Sequence, residues 1–104
     1  MLYSKADVVK AFYSWIENGQ KKGIVRPVII KEAKENLYFV VKISRSNKKE
    51  GLIRVSVDSA EWREMGLYHY SHDSFIERNA TQWISESEIQ RKIGRCPLSL
   101  FALI

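Results

Sequence analysis

Residues 37–58 constrain the fold more tightly than any other part of the chain. In Leu37–Ser44 the apolar residues Leu37, Phe39, Val41 and Ile43 fall on every second position. Ile53, Val55 and Val57 repeat that pattern in Leu52–Asp58. A period of two lines these side chains along one face of an extended strand, so the chain must build a sheet with a buried face. The two strands read as a hairpin. Their apolar sets meet when Phe39 faces Val57, Val41 faces Val55 and Ile43 faces Ile53. A slip of one residue would turn one set to water. Arg45–Gly51 becomes the polar, basic loop between them.

The residues before this region suggest a helix from Lys5 to Asn18. Val8, Val9, Phe12, Trp15 and Ile16 recur at spacings of three and four, which makes one apolar stripe. Ser4 is placed to cap it with Asp7 three residues on, and Asn18-Gly19 or Gly23 to end it. Ile24–Glu32 is rich in β-branched residues, but Pro27 lacks a backbone donor. That segment is an edge strand, or a strand beginning after the proline.

Beyond Val57, Asp58 or Ser59 caps a helical turn through Glu61 to Met65, closed by Gly66. Leu67–Tyr70 reads as a short strand, and Phe75–Ile84 as strand or loop. Ser85 and Glu88 form a capping box that predicts a short helix over Glu86–Ile93. The apolar tail, Leu98–Ile104, requires burial as a last strand, under the first helix or against a second subunit. The expected fold is α+β and a single domain, residues 1–104. An N-terminal helix packs on one face of a mainly antiparallel sheet of about four strands, with a short second helix near the C-terminus.

Charge is the main pointer to function. Residues 1–54 carry 12 Lys and Arg against 5 Asp and Glu, while residues 55–104 carry 5 against 7. In the expected hairpin Lys42 lies opposite Arg54, an unfavourable pairing unless acidic residues or a bound anion neutralise it. Arg45, Lys48 and Lys49 extend the same patch, and Tyr38 on that face is placed to stack on a base. These six residues are the candidate nucleic-acid contacts of a basic β-ribbon. The alternative is a solvated hairpin whose lysines keep an edge soluble.

His69 and His72, with Glu77, Arg78 and Arg63, are the groups available to a metal-independent ribonuclease. On a strand, positions three apart face opposite ways, and two histidines do not complete a zinc site. No metal or cofactor is expected. Cys96 is the one cysteine, so no intrachain disulfide forms, and Arg95 beside it is a candidate to lower its pKa.

The expected function is that of a small basic binding domain without catalysis, its partner nucleic acid. An acidic protein partner is the alternative, with the chain acting as an inhibitory or accessory homodimer joined through the tail or the Pro27 edge. The first residues lack an apolar signal region, and Leu98–Ile104 is too short to span a bilayer, so the expected setting is cytoplasmic, without membrane.

Overall fold

Two tight turns set the fold. In the computed structural model, which describes residues 2–104, Asn18 and Gly19 take φ of 51° and 76°. Glu35 and Asn36 take 51° and 67°. Paired positive φ values make the two-residue turn whose twist matches a β-hairpin. The first turn joins β1 (Asp7–Glu17) to β2 (Gln20–Lys34), and the second joins β2 to β3 (Leu37–Ser44). After β3 come β4 (Leu52–Val55), α1 (Ala60–Glu64), β5 (Ser74–Ser85), β6 (Ile89–Arg95) and α2 (Leu98–Phe101). The six strands form one antiparallel sheet in the order β4-β5-β3-β2-β1-β6. It curls into a half-barrel.

This corrects the α+β expectation. The segment expected as an N-terminal helix is β1, and no helix at that end packs on the sheet. The helical spacing misleads because Val8 and Val9 are buried on opposite faces at the start of β1, while Phe12, Trp15 and Ile16 are apolar but exposed further along it. Val8 enters one core, while Val9, Ala11 and Tyr13 enter the other. A strand covered on both sides loses the polar–apolar alternation that marks it. The expected Ser4–Asp7 contact does form, with Ser4 N donating to Asp7 Oδ2 at 2.9 Å. It closes a turn before the strand instead of capping a helix.

The expected β3–β4 hairpin is corrected as well. β5 lies between the two strands, so Ile76 pairs with Ile43 on one side and Ile53 on the other. Val41, Ile43, Ile53 and Val55 do share an apolar face, with Ile76 inserted among them, whereas Leu37 and Val57 are exposed. β5 was obscured by its polar residues and by a break in register. Pairing jumps from Val41–Thr81 to Lys42–Glu77, which leaves residues 78–80 without partners in β3.

The outer core holds Val8, Ile29, Val41, Ile43 and Ile76, capped by Trp62, Met65 and Leu67 from α1 and the 3-10 turn Leu67–His69. Leu67–Tyr70 is thus a turn, not the expected strand. Ser59 caps α1 as expected, its Oγ accepting from Trp62 N at 3.1 Å. Gly66 ends it at φ 76°. Here backbone meets backbone. A Cβ on Gly66 would lie 1.9 Å from Ile93 O, and one on Gly94 would lie 2.3 Å from the Met65 carbonyl carbon, so neither position admits a side chain. The Ser85–Glu88 capping box also forms, but it starts a single 3-10 turn, Glu86–Glu88, and Ile89–Arg95 continues as β6. The tail folds back as α2, with Leu100, Phe101 and Ile104 against the outer core.

The inner core, inside the curl, holds Val9, Ala11, Tyr13, Val28, Ile30, Tyr38, Val40, Ile84 and Ile89. A side chain closes the curl. Gln82 on β5 accepts from Ser14 N at 3.3 Å and donates from Nε2 to Ser14 O at 2.7 Å, standing in for a missing strand partner of β1. No helix among the described residues is long and apolar enough to cross a membrane.

Candidate anion-binding cleft

The β2–β3 ladder ends at Val28–Lys42. Beyond it, residues 20–27 of β2 pair with β1 alone. Pro27, without an N–H, stands at the point of parting. Between the diverging strands lies an open cleft of about 460 Å³. Its walls are Ile24, Val25, Arg26 and Pro27 from β2, and Lys42 to Ser46 from β3 and the following loop, with Lys49 further along that loop. Consecutive residues line it on both sides. Successive side chains point to opposite faces of a sheet, so the walls are strand edges and the cleft lies in the plane of the sheet.

Four cations line the cleft, Arg26, Lys42, Arg45 and Lys49, against one carboxylate, Glu77. Glu77 stands opposite Lys42 across the β3–β5 pair and is 4% exposed. Its Oε1 lies 3.2 Å from Lys49 Nζ and its Oε2 3.5 Å from Lys42 Nζ. Burial alone would raise its pKa. The Ser44 hydroxyl, Lys49 and Lys42 outweigh that and hold it below the usual carboxylate range. Neither Ser44 Oγ nor Glu77 Oε2 makes a hydrogen bond of good geometry. Lys42 is shifted down, by burial first and then by the charge of Arg26, against the pull of Glu77.

Arg26 is the distinctive residue. It forms no ion pair among the described residues, its Nε is buried without a partner, and its Nη1 reaches Ile43 O across the cleft at 3.4 Å. Burial lowers its pKa, with Glu77 opposing. A half-buried guanidinium with unmet donors is costly to leave so.

Two further side chains complete the lining. His72 sits beside Arg45, with Nδ1 3.1 Å from Asp73 O and Nε2 3.5 Å from Arg45 Nη1. A neutral ring carrying its proton on Nδ1 satisfies both contacts. Tyr70 has its pKa raised by burial, against the charges of Arg26 and Arg91.

The six residues singled out in the sequence are thus divided. Lys42, Arg45 and Lys49 meet in the cleft. Lys48 is exposed on the same loop, its N–H donating to Ser46 Oγ at 3.4 Å. Arg54 lies elsewhere, bound to Asp73, to which its Nε donates at 2.8 Å. The expected Lys42–Arg54 clash is absent, because β5 separates the two, its Glu77 pairs with Lys42, and Asp73 just before β5 pairs with Arg54. Tyr38 is fully buried at the other end of the sheet, its hydroxyl donating to Glu86 at 2.8 Å, so no base can stack on it.

Sequence reasoning missed Arg26, and named Glu77 only as a ribonuclease candidate and not as the partner of Lys42 and Lys49. Arg26 sits in an apolar run, and only the proline beside it hints that the strand has a free side. His69 stacks on Tyr68 at 4.5 Å and does not line the cleft with His72. No three His, Cys, Asp or Glu residues cluster as metal ligands among the described residues. Arg95 does not activate Cys96. It pairs with Asp7 at 3.0 Å, and burial, with Glu64, pushes the buried thiol up to about 11. The chain matches no protein-family model and no curated protein.

Proposed function

We propose that the protein is a binding module without catalysis, and that the cleft between β2 and β3 is its working surface, taking a negatively charged partner. The observation that carries this is Arg26, a half-buried guanidinium with a buried, unpartnered Nε in a cleft where cations outnumber carboxylates. Lys42 and Lys49 already share Glu77, so Arg26 and Arg45 are the cations left to meet an incoming anion.

Nucleic acid is one such partner. It is favoured by the exposed β1–β2 hairpin, where Trp15 and Ile16 lie opposite Lys22 and Lys21. Aromatic faces beside cations suit single strands.

The test is fluorescence anisotropy with labelled polyglutamate and with a labelled single-stranded oligonucleotide at low and high salt. Arg26→Gln weakens whichever anion binds by about tenfold, in line with one charge-assisted contact, and the melting temperature does not fall. Failure of both probes to bind at low salt retires the reading.

A further inference from the structure

The cleft is shaped like the place of an absent strand. On its β2 wall, residues 20–27 have partners in β1 only, and on its β3 wall the ladder toward β2 stops at Lys42. Neither wall makes a backbone hydrogen bond to any other described segment across the gap. Residues 20–25 are exposed, and an open strand edge presents its free N–H and C=O groups as a template for another strand. An extended peptide offers both in the needed spacing, whereas a phosphodiester chain offers acceptors alone.

The side chains specify what that peptide carries. Ala11, Val28 and Val40 face the inner core, and by strand alternation Arg26 and Lys42 lie on that same face. Val25 lies on the other face, opposite Phe12 across the β1–β2 pair, and both are partly exposed. A strand laid along Ile24–Pro27 would set alternate residues beside the cations and beside this apolar pair. The Arg26 contact with Ile43 O, at 3.4 Å, is the long bond such a strand would replace.

Resting on the anion-binding reading above, we infer that the cleft admits an acidic, extended protein segment as an added β-strand, with acidic and apolar residues in alternation. Arg26 takes a carboxylate, with Arg45 a second cation near the mouth. Main-chain bonds to residues 20–26 supply the rest of the affinity, and Pro27 marks where pairing stops, because it has no N–H to give.

The experiment titrates the full chain by NMR with a hexapeptide alternating Glu and Val. Three other probes run beside it: the same peptide N-methylated at alternate amides, its Lys and Val counterpart, and a single-stranded oligonucleotide. The acidic peptide should shift the amides of residues 20–26 and slow their hydrogen exchange, while the Lys peptide does neither. N-methylation should weaken binding at least tenfold, and Arg26→Gln should do likewise. If the N-methylated peptide binds as well as its parent, or the oligonucleotide binds more than tenfold tighter than the acidic peptide, strand entry is overturned while anion binding stands. If no anionic probe shifts any cleft residue at low salt, both readings fall together. The N-methylated control uses the unaltered protein, so the outcome does not depend on the folding of a variant.

Discussion

β2 is one strand with two lives. At Val28 and Ile29 it has β1 on one side and β3 on the other, Ile30–Lys34 keep β3, and Val28, Ile29 and Ile30 are fully buried. Over Gln20–Pro27 it keeps β1 and loses β3, and Ile24 and Val25 are 48% and 38% exposed. Residue type alone does not explain this, since Ile24 and Val25 are β-branched and apolar like Val28, Ile29 and Ile30. The difference is a neighbour. Where β3 stays, apolar side chains become core. Where β3 departs, the same residue types become the wall of a cleft.

The sharpest way to break the comparison is to remove equal side chains from the two halves. Ile29→Ala should cost about 2–5 kcal/mol in urea unfolding, as a core cavity does. Ile24→Ala should cost less than about 1 kcal/mol. Equal costs would mean that the outer half is packed by something other than β1.

Next in size is the Gln82 bridge, which treats the free edge of β1 as Gln20–Pro27 of β2 is not treated. Gln82→Ala leaves Ser14 N and O without partners and should cost about 1–3 kcal/mol. Hydrogen exchange at Ser14 should accelerate. An unchanged Ser14 rate would show that the curl closes without this side chain.

Much of the local chemistry was legible in the sequence. Ser59, Gly66 and the Ser85–Glu88 box all sit where short-range rules put them, because a cap involves residues three or four apart. Asn18-Gly19 was visible too, as a terminator, yet a two-residue turn with positive φ at both positions is equally a hairpin. Strand order was not legible. Period-two patterning sets Val41, Ile43 and Val55 toward one core, but does not say that Tyr38 and Val40 fill the other or that β5 intervenes, and the irregularity at residues 78–80 hides its period. The cleft was out of reach for the same reason. Arg26 and Glu77 are 51 positions apart and meet through pairings that no local pattern encodes.

Acid tests the cleft's internal balance. The folded pKa of Glu77 is depressed, so its contribution to stability is complete above the ordinary glutamate value of about 4.3 and is lost as pH falls through the lower folded value. Glu77→Gln should therefore flatten the acid limb of the stability curve and, by releasing Lys42 and Lys49, strengthen binding of an anionic probe. A variant whose acid limb matches that of the unaltered chain would show that Glu77 is not the titrating group.

The smallest expected effect belongs to Lys48, exposed and outside the cleft lining. Lys48→Ala should move stability by less than about 0.5 kcal/mol and weaken binding far less than Arg26→Gln does. A loss equal to that of Arg26→Gln would extend the binding surface along the β3–β4 loop.

Cys96 carries a different kind of consequence. Its thiol is buried in the core that Leu100, Phe101 and Ile104 of the C-terminal segment cover, and its pKa near 11 leaves little thiolate at neutral pH. A bulky thiol reagent can reach it only while that segment is lifted. The rate of its modification in the folded protein is therefore a clock for the opening of one end of the molecule, read without a mutation or a denaturant.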